Sequence, residues 1–315
     1  MSVLICGSMA FDNIMVFNGK FQDHILPDQV HILNVSFLVP ELRREFGGCA
    51  GNIAYNLKMI ASKPEEEPVI MATVGEDSDT YFERLSSLGL DARHVAMIPE
   101  TFTAQAFITT DLNDNQITAF HPGAMNSAHV NHVADAADVK LGIVAPDGRE
   151  GMLQHAREFA EAGVSFIFDP GQGLPMFSGE ELMDFISLAD YVAVNDYEAR
   201  LLQDKTGQKM EELAKLVQAL VVTRGAEGSY IYADGQRLDI PSVKADKVVD
   251  PTGCGDAYRA GLLFGIVNKL DWEDVGRLAG IMGSIKIAHS GAQNHRLTRD
   301  EIGVLYGKHF GFSLW

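Results

Sequence analysis

A carboxylate that can take a proton and a turn that can hold an anion stand side by side in Asp250-Pro251-Thr252-Gly253-Cys254-Gly255-Asp256. The pair Val248-Val249 before it reads as a strand end, and apolar Ala260, Leu263, Phe264 and Val267 predict a helix that opens near Ala257. A helix opening leaves its first N–H groups unpaired and partly positive, so it is an anion site, and glycines let the backbone close on the anion. Asp256, placed at that opening, could accept a proton from an attacking hydroxyl. Phosphoryl transfer from a nucleotide to an alcohol needs those two parts together. The local pattern alone also allows Asp256 as a plain helix cap and the glycines as a tight turn.

Other polar residues sit where an α/β fold would present them. The apolar run Val3-Leu4-Ile5-Cys6-Gly7 predicts a buried parallel strand whose C-terminal edge carries Ser8 and Asp12. Glu45-Phe46-Gly47-Gly48-Cys49-Ala50-Gly51-Asn52 is a Gly-rich entry to an amphipathic helix. From Val139 onward strands alternate with helices (strands at 141–146, 164–169 and 191–195, helices at 151–162 and 182–189), which predicts a doubly wound parallel sheet. Asn195 and Glu198, three apart at the start of the next helix, share a face and also form a plain capping pair. Thr223-Arg224-Gly225-Ala226-Glu227-Gly228 is a Gly turn between two strands, with a basic residue that suits an anion.

The segment from Ile14 to Val39 has no helical period and reads as exposed strands and turns outside the main sheet; Phe102 to Phe120 alternates around Asp111–Asn115, the pattern of a β-hairpin. Phe102 and Phe120 could stack on a base or simply fill a small core.

Composition bounds the reading. The chain has 315 residues, 46% hydrophobic and 22% charged, with 25 Lys and Arg against 43 Asp and Glu and a formal net charge of −18. That balance argues against a nucleic-acid surface, which needs clustered cations. Cys6, Cys49 and Cys254 have neither disulfide-framework nor zinc spacing. The start Met1-Ser2-Val3 has no basic leader and no apolar run nears the ~20 residues of a membrane span, so the expected location is the cytoplasm, away from membranes.

Asp250 to Asp256 resembles the D-x-x-G-x-G-D signature of the PfkB, or ribokinase-like, kinases; Cys254 stands where members usually carry a small residue. Gly47 to Ala54 resembles the family's Gly-Gly-x-x-x-Asn-x-Ala motif, and the two signatures lie about 200 residues apart in the family's order. Gly7 to Asp12, Asn195 to Glu198 and Thr223 to Gly228 match further stations. His121-Pro122-Gly123-Ala124-Met125-Asn126 and Asp169-Pro170-Gly171-Gln172 resemble segments of bacterial adenosine kinases within that family.

The resemblance implies a three-layer α/β/α sandwich with a mostly parallel central sheet and a small β-sheet lid, the lid at 14–40 and 98–120 and the large domain at 1–13, 41–97 and 121–315. It implies ATP-dependent phosphorylation of the 5′-hydroxyl of adenosine, as in purine salvage. A ribokinase- or fructokinase-type sugar kinase is the alternative, and a catalytically silent nucleotide or nucleoside sensor a further one. In the carried-over roles Asp256 is the base, and the N–H groups of Gly253, Cys254 and Gly255 hold the transferred charge. Ser8, Asp12, Ser36, Gly48, Asn52, Phe102, Phe120 and Gln172 line the acceptor. Asn195, Thr223, Arg224, Gly225, Gly228 and Gly255 bind ATP; Asn195 and Glu198 hold Mg²⁺ through water. Asp250 and Thr252 hold a monovalent cation such as K⁺, helped by the loop 283–292. Asp77 is structural, and His289 and His295 line a surface. Exposed lid strands offer an edge through which a homodimer could form.

Overall fold

The computed structural model describes residues 2–25, 34–113 and 115–315. In chain order the elements are β1 (Ser2–Cys6), β2 (Ala10–Val16), β3 (Glu41–Gly47), α1 (Cys49–Ile60), β4 (Pro68–Val74), α2 (Asp79–Leu88), β5 (Asp91–Met97), β6 (Ala104–Thr110) and β7 (Gln116–His121). Regular alternation follows: β8 (Val139–Val144), α3 (Arg149–Glu161), β9 (Phe166–Phe168), α4 (Gly179–Leu188), β10 (Tyr191–Asn195), α5 (Asp196–Thr206), α6 (Met210–Leu213) and β11 (Ala219–Thr223). The hairpin β12 (Ser229–Ala233) and β13 (Gln236–Ile240) leads to α7 (Cys254–Val267), α8 (Trp272–Ile287) and α9 (Arg299–Phe310).

Among the described residues nine strands form one sheet, ordered β13-β12-β11-β10-β9-β8-β1-β4-β5. The seven from β11 to β5 are parallel, while β12 and β13 add antiparallel. Period-2 side-chain alternation sends residues to two cores. Val3 and Ile5 of β1 join Ile53, Leu57, Ala257, Leu263 and Leu278 of α1, α7 and α8 on one face. Leu4 and Cys6 join Met152, Phe159, Leu182, Phe185 and Leu202 of α3, α4 and α5 on the other. The expected three-layer sandwich is present. The sheet grows from β1 to β5 on one side and from β8 to β13 on the other, so the order reverses beside β1. Ligand crevices in such sheets open at the carboxyl ends of strands at that reversal.

A separate four-stranded sheet, β3-β2-β6-β7, carries the expected β6–β7 hairpin. Its limits differ from those expected. Glu41–Gly47, assigned to the large domain, pairs along the whole of β2, and Ala10–Val16 starts the small sheet before residue 14. Residues 34–39, part of the segment read as exposed strands and turns, are irregular; Phe37 packs on Phe17 and Phe21 there. Leu26-Pro27-Asp28 and Ile32-Leu33 of the expected lid, and Asp114 of its hairpin turn, lie outside the described residues.

Two further corrections bear on the chemistry. Val248 and Val249 are not a strand end; they are irregular and exposed, and Val249 N–H donates to Ile287 O across 2.8 Å. Residues 283–287, read as loop, complete the last turns of α8.

Candidate active site

α7 opens at Gly253, whose φ of 77° is left-handed backbone that glycine alone adopts cheaply. A Cβ there would meet Ala292 at 2.8 Å as well. The Cys254 N–H is used inside the turn, donating to Pro251 O at 3.1 Å, so it is not available to an anion as expected. The N–H groups of Gly253, Gly255 and Asp256 have no protein acceptor among the described residues. A concave row of unpaired donors at a helix N-terminus is left, three in number with Asp256 in place of Cys254.

Asp256 lies partly buried at this opening, and its Oδ2 accepts from Asn52 Nδ2 at 2.8 Å. Burial, followed by the neighbouring Asp169 charge, pushes its carboxyl up to about 6. Asn52 is itself fixed: its Oδ1 accepts from Gln293 Nε2 (3.0 Å), which also donates to the Tyr81 hydroxyl (2.9 Å), and Tyr81 donates to Gly47 O (2.7 Å). Asn52, expected on the acceptor, here links Gln293 to the Asp256 carboxylate.

Beneath the turn, Arg259 and Asp169 form a bidentate ion pair, both bonds 3.0 Å and both side chains 5% exposed. Arg259 also donates to Ala193 O at 3.2 Å, and its Nη1 lies 3.8 Å from where a Cβ on Gly255 would be. A fixed cation under an anion turn is the arrangement for charge that builds during transfer. This pair was missed in the sequence; the signal was an Arg on the otherwise apolar run Ala257–Val267.

Asp12 sits on β2 in register with Ala106 and, through it, Phe120. Neighbours across strands share a face, so Asp12 and Phe120 are on one side of the small sheet. The Asp12 carboxylate has no protein donor among the described residues, and burial, then Asp250 and Glu45, pushes it up to about 6. Gly48, φ 83°, closes tightly on this strand entry: a Cβ would lie 2.6 Å from Ser8 O, Met9 Cα and Ala10 N. Thr103 N–H (2.7 Å) and Gln105 Nε2 (2.9 Å) both donate to Asp77, which thereby ties β6 to the large sheet, the structural role expected of it.

Other expected residues are placed differently. Ser8 Oγ accepts from Cys49 N–H at 3.2 Å and anchors α1. Ser36 is exposed in the irregular segment and meets no site residue. Phe102 is 59% and Phe120 49% exposed. Gln172 is exposed on the turn after β9, where the Cβ position of Gly171 abuts Pro146. Thr223 ends β11 beside Gly225 and Gly228, both at positive φ. The Arg224 guanidinium folds back on Glu227 (2.8 Å) and stacks 3.8 Å over Tyr230, so its charge is neutralised locally rather than offered to phosphate. His295, expected on a surface, is fully buried, with Nε2 2.7 Å from Asn56 Oδ1, and burial drops its pKa to about 3.

Asn195 and Glu198 form a reciprocal capping box: Asn195 Oδ1 accepts from Glu198 N–H (2.8 Å), and Glu198 accepts from Asn195 N–H (2.7 Å) and Nδ2 (2.8 Å). Burial, then Asp169, raises the Glu198 pKa. One carboxylate with spare lone pairs suits the hydration shell of Mg²⁺ rather than a protein cage. The monovalent-cation residues fit less well. Asp250 Oδ1 accepts from Thr252 N–H (2.9 Å) and Oδ2 from Gly291 N–H (2.8 Å), and its carbonyl already receives the Lys286 ammonium at 2.7 Å.

The chain is similar to known kinases in sequence and in fold. The family model described as pfkB family carbohydrate kinase matches residues 12–299. A structure of Burkholderia thailandensis nucleoside kinase in complex with inosine is 54% identical, with a TM-score of 0.89 and 99% of each chain covered. The same enzyme in complex with ADP-inosine is 55% identical, TM-score 0.87, covering 99% of this chain and 97% of that one. The nucleoside kinase of Methanocaldococcus jannaschii is 32% identical over 279 residues, 88% of this chain and 90% of the relative.

Proposed function

The chain belongs to the pfkB family of carbohydrate kinases and is a phosphotransferase with a hydroxyl acceptor, and within that family we propose an ATP-dependent nucleoside kinase that phosphorylates the 5′-hydroxyl of adenosine. The observation that carries the reading is the juxtaposition at α7: a half-hidden carboxylate held by Asn52 beside free N–H groups, with the Arg259 cation beneath. The Burkholderia thailandensis nucleoside kinase, bound to inosine in one structure and to ADP-inosine in another, supports a nucleoside acceptor and an adenine nucleotide donor.

In this mechanism the acceptor's ribose hydroxyls bind Asp12 and the Gly48 entry, which sets the 5′-hydroxyl against Asp256. Asp256, ionised above about pH 6, takes the hydroxyl proton as the oxygen attacks the γ-phosphorus, and the bond from that phosphorus to the β,γ-bridging oxygen breaks so that ADP leaves. The N–H groups of Gly253, Gly255 and Asp256, with Arg259 below, stabilise the charge spread over the phosphoryl oxygens. Asn195 and Glu198 would hold Mg²⁺ through water, and the ion would supply positive charge against the nucleotide phosphates. Phe120, on the Asp12 side of the small sheet, and Gln172, with no protein partner among the described residues, are free to meet a base. On the opposite side of that sheet Leu42, Phe107 and Ile117 are exposed at 67%, 41% and 43%, an apolar face suited to a second copy of the chain.

The deciding experiment is ADP release measured with adenosine, inosine, ribose and fructose as acceptors. Adenosine should give the highest kcat/KM. Efficient turnover of ribose or fructose with none of either nucleoside would replace this reading by the sugar kinase, and no ADP release with any acceptor would replace it by the sensor. Sedimentation of the free protein tests the dimer.

A further inference from the structure

Lys286 is the one lysine with no exposed surface among the described residues. It comes from the last turn of α8, and its ammonium donates to Asp250 O at 2.7 Å and to His289 O at 3.0 Å. Nothing in the transfer chemistry uses it. A buried ammonium persists only where oxygens replace its water, and here they are carbonyls from two different loops.

Those loops carry Asp250, Thr252 and the stretch 283–292, to which the resemblance assigns a monovalent cation. Asp250 begins the turn that runs through Thr252 to the free N–H groups of α7, and His289 begins the stretch leading to Gly291, whose N–H holds the Asp250 carboxylate. Val249 and Asp250 N–H groups also donate to Ile287 O, at 2.8 and 3.2 Å. A unit positive charge therefore already stands where the two carbonyls converge. An added K⁺ would meet the same charge at the same oxygens, with no dehydrated place left for it.

We propose that Lys286 is a built-in substitute for a monovalent cation, tying the 250 loop to the 289 loop so that the anion turn is formed without any bound alkali ion. The Asp250 carboxylate completes the device: it accepts from the Thr252 and Gly291 N–H groups at 2.9 and 2.8 Å, closing the same two loops that Lys286 joins. The device needs no solute and is not switched by salt composition.

The activity arm of the test rests on the kinase reading, so a second arm measures nucleotide binding and melting without turnover. Wild-type protein is compared in potassium, sodium and choline chloride at equal ionic strength. ADP affinity, melting temperature and kcat should agree across the three salts. A several-fold rise of kcat or of ADP affinity in potassium over choline would overturn the proposal. Lys286→Met keeps the apolar stem and removes the charge. In choline it should bind ADP more weakly and turn over at least about tenfold more slowly than wild type, and potassium or ammonium, but not choline, should restore part of both. A Lys286→Met protein that is folded by circular dichroism and indistinguishable from wild type in choline would also overturn it. Should that variant fail to fold, the wild-type salt series decides alone. If no acceptor is phosphorylated at all, the kinase reading fails while ADP binding still tests Lys286.

Discussion

Replacing Asp256 by Asn tests the centre of the mechanism with little collateral change. The side chain keeps its shape, and its amide oxygen can still accept from Asn52 Nδ2, now at 2.8 Å, so the α1–α7 link should survive. What is lost is the proton acceptor, a change of roughly 10²–10⁴-fold in rate, or about 3–5 kcal/mol of transition-state stabilisation. The wild-type carboxyl titrates near 6, so kcat/KM should fall tenfold per unit below about pH 6 and level off above it. Asn52 supplies a bond that lowers that value. Asn52→Ala should therefore move the acid limb to higher pH, by roughly one unit for a charge-assisted bond of ~1.5 kcal/mol. The assay is coupled ADP release from pH 5 to 8.5, with ADP affinity measured calorimetrically to show that the nucleotide still binds. Turnover of Asp256→Asn within tenfold of wild type would refute the base assignment, and an unmoved acid limb in Asn52→Ala would refute its electrostatic basis.

Three other outcomes follow from the geometry. Asp147, buried with an unpartnered Oδ2, is pushed up to about 8 by burial; its folded value lies above its unfolded one, so the native state loses stability as pH rises from about 4 to about 8. Asp147→Asn should melt above wild type by a margin that widens over that range and then stays constant, and a margin independent of pH would contradict this. Arg259→Met strands the buried Asp169 carboxylate and should cost ~3–5 kcal/mol in urea unfolding, whereas a loss under 1 kcal/mol would mean that the pair is not sequestered from water. Glu198→Gln can keep the cap but not the charge; it should raise the Mg²⁺ concentration for half-maximal rate with the melting temperature unchanged, and an unaltered Mg²⁺ dependence would leave Glu198 as a cap alone.

Much of the site was legible because short-range chemistry marks it. The anion turn is written in adjacent residues, Gly253 to Asp256, and the parallel sheet in apolar runs such as Tyr191–Asn195. Strand β3 was not legible: Glu41-Leu42-Arg43-Arg44-Glu45 is mostly charged, and it is a strand because β2 supplies its backbone partners. The surroundings of Asn52 and Arg224 were not legible for a related reason. Motif order gave their positions, but whether an amide or guanidinium faces a ligand depends on partners far away in sequence or on the local turn, Gln293 in one case and Glu227 with Tyr230 in the other. Arg259, Asp169 and Lys286 were hidden because a buried charge looks like a surface charge until its counter-group is known.

The place of β1 in the large sheet has a consequence for how the molecule is made. The earliest described strand comes to lie between β4 and β8, and the Asn52–Asp256 bond closes a loop of 204 positions. A nascent chain that has emerged only through β7 offers β1 with one edge bare, and unpaired parallel edges invite aggregation. Such long-range closure makes folding slow. Asp256 meets Asn52 only once α7 has docked, so a polypeptide that ends before residue 256 lacks the proposed base.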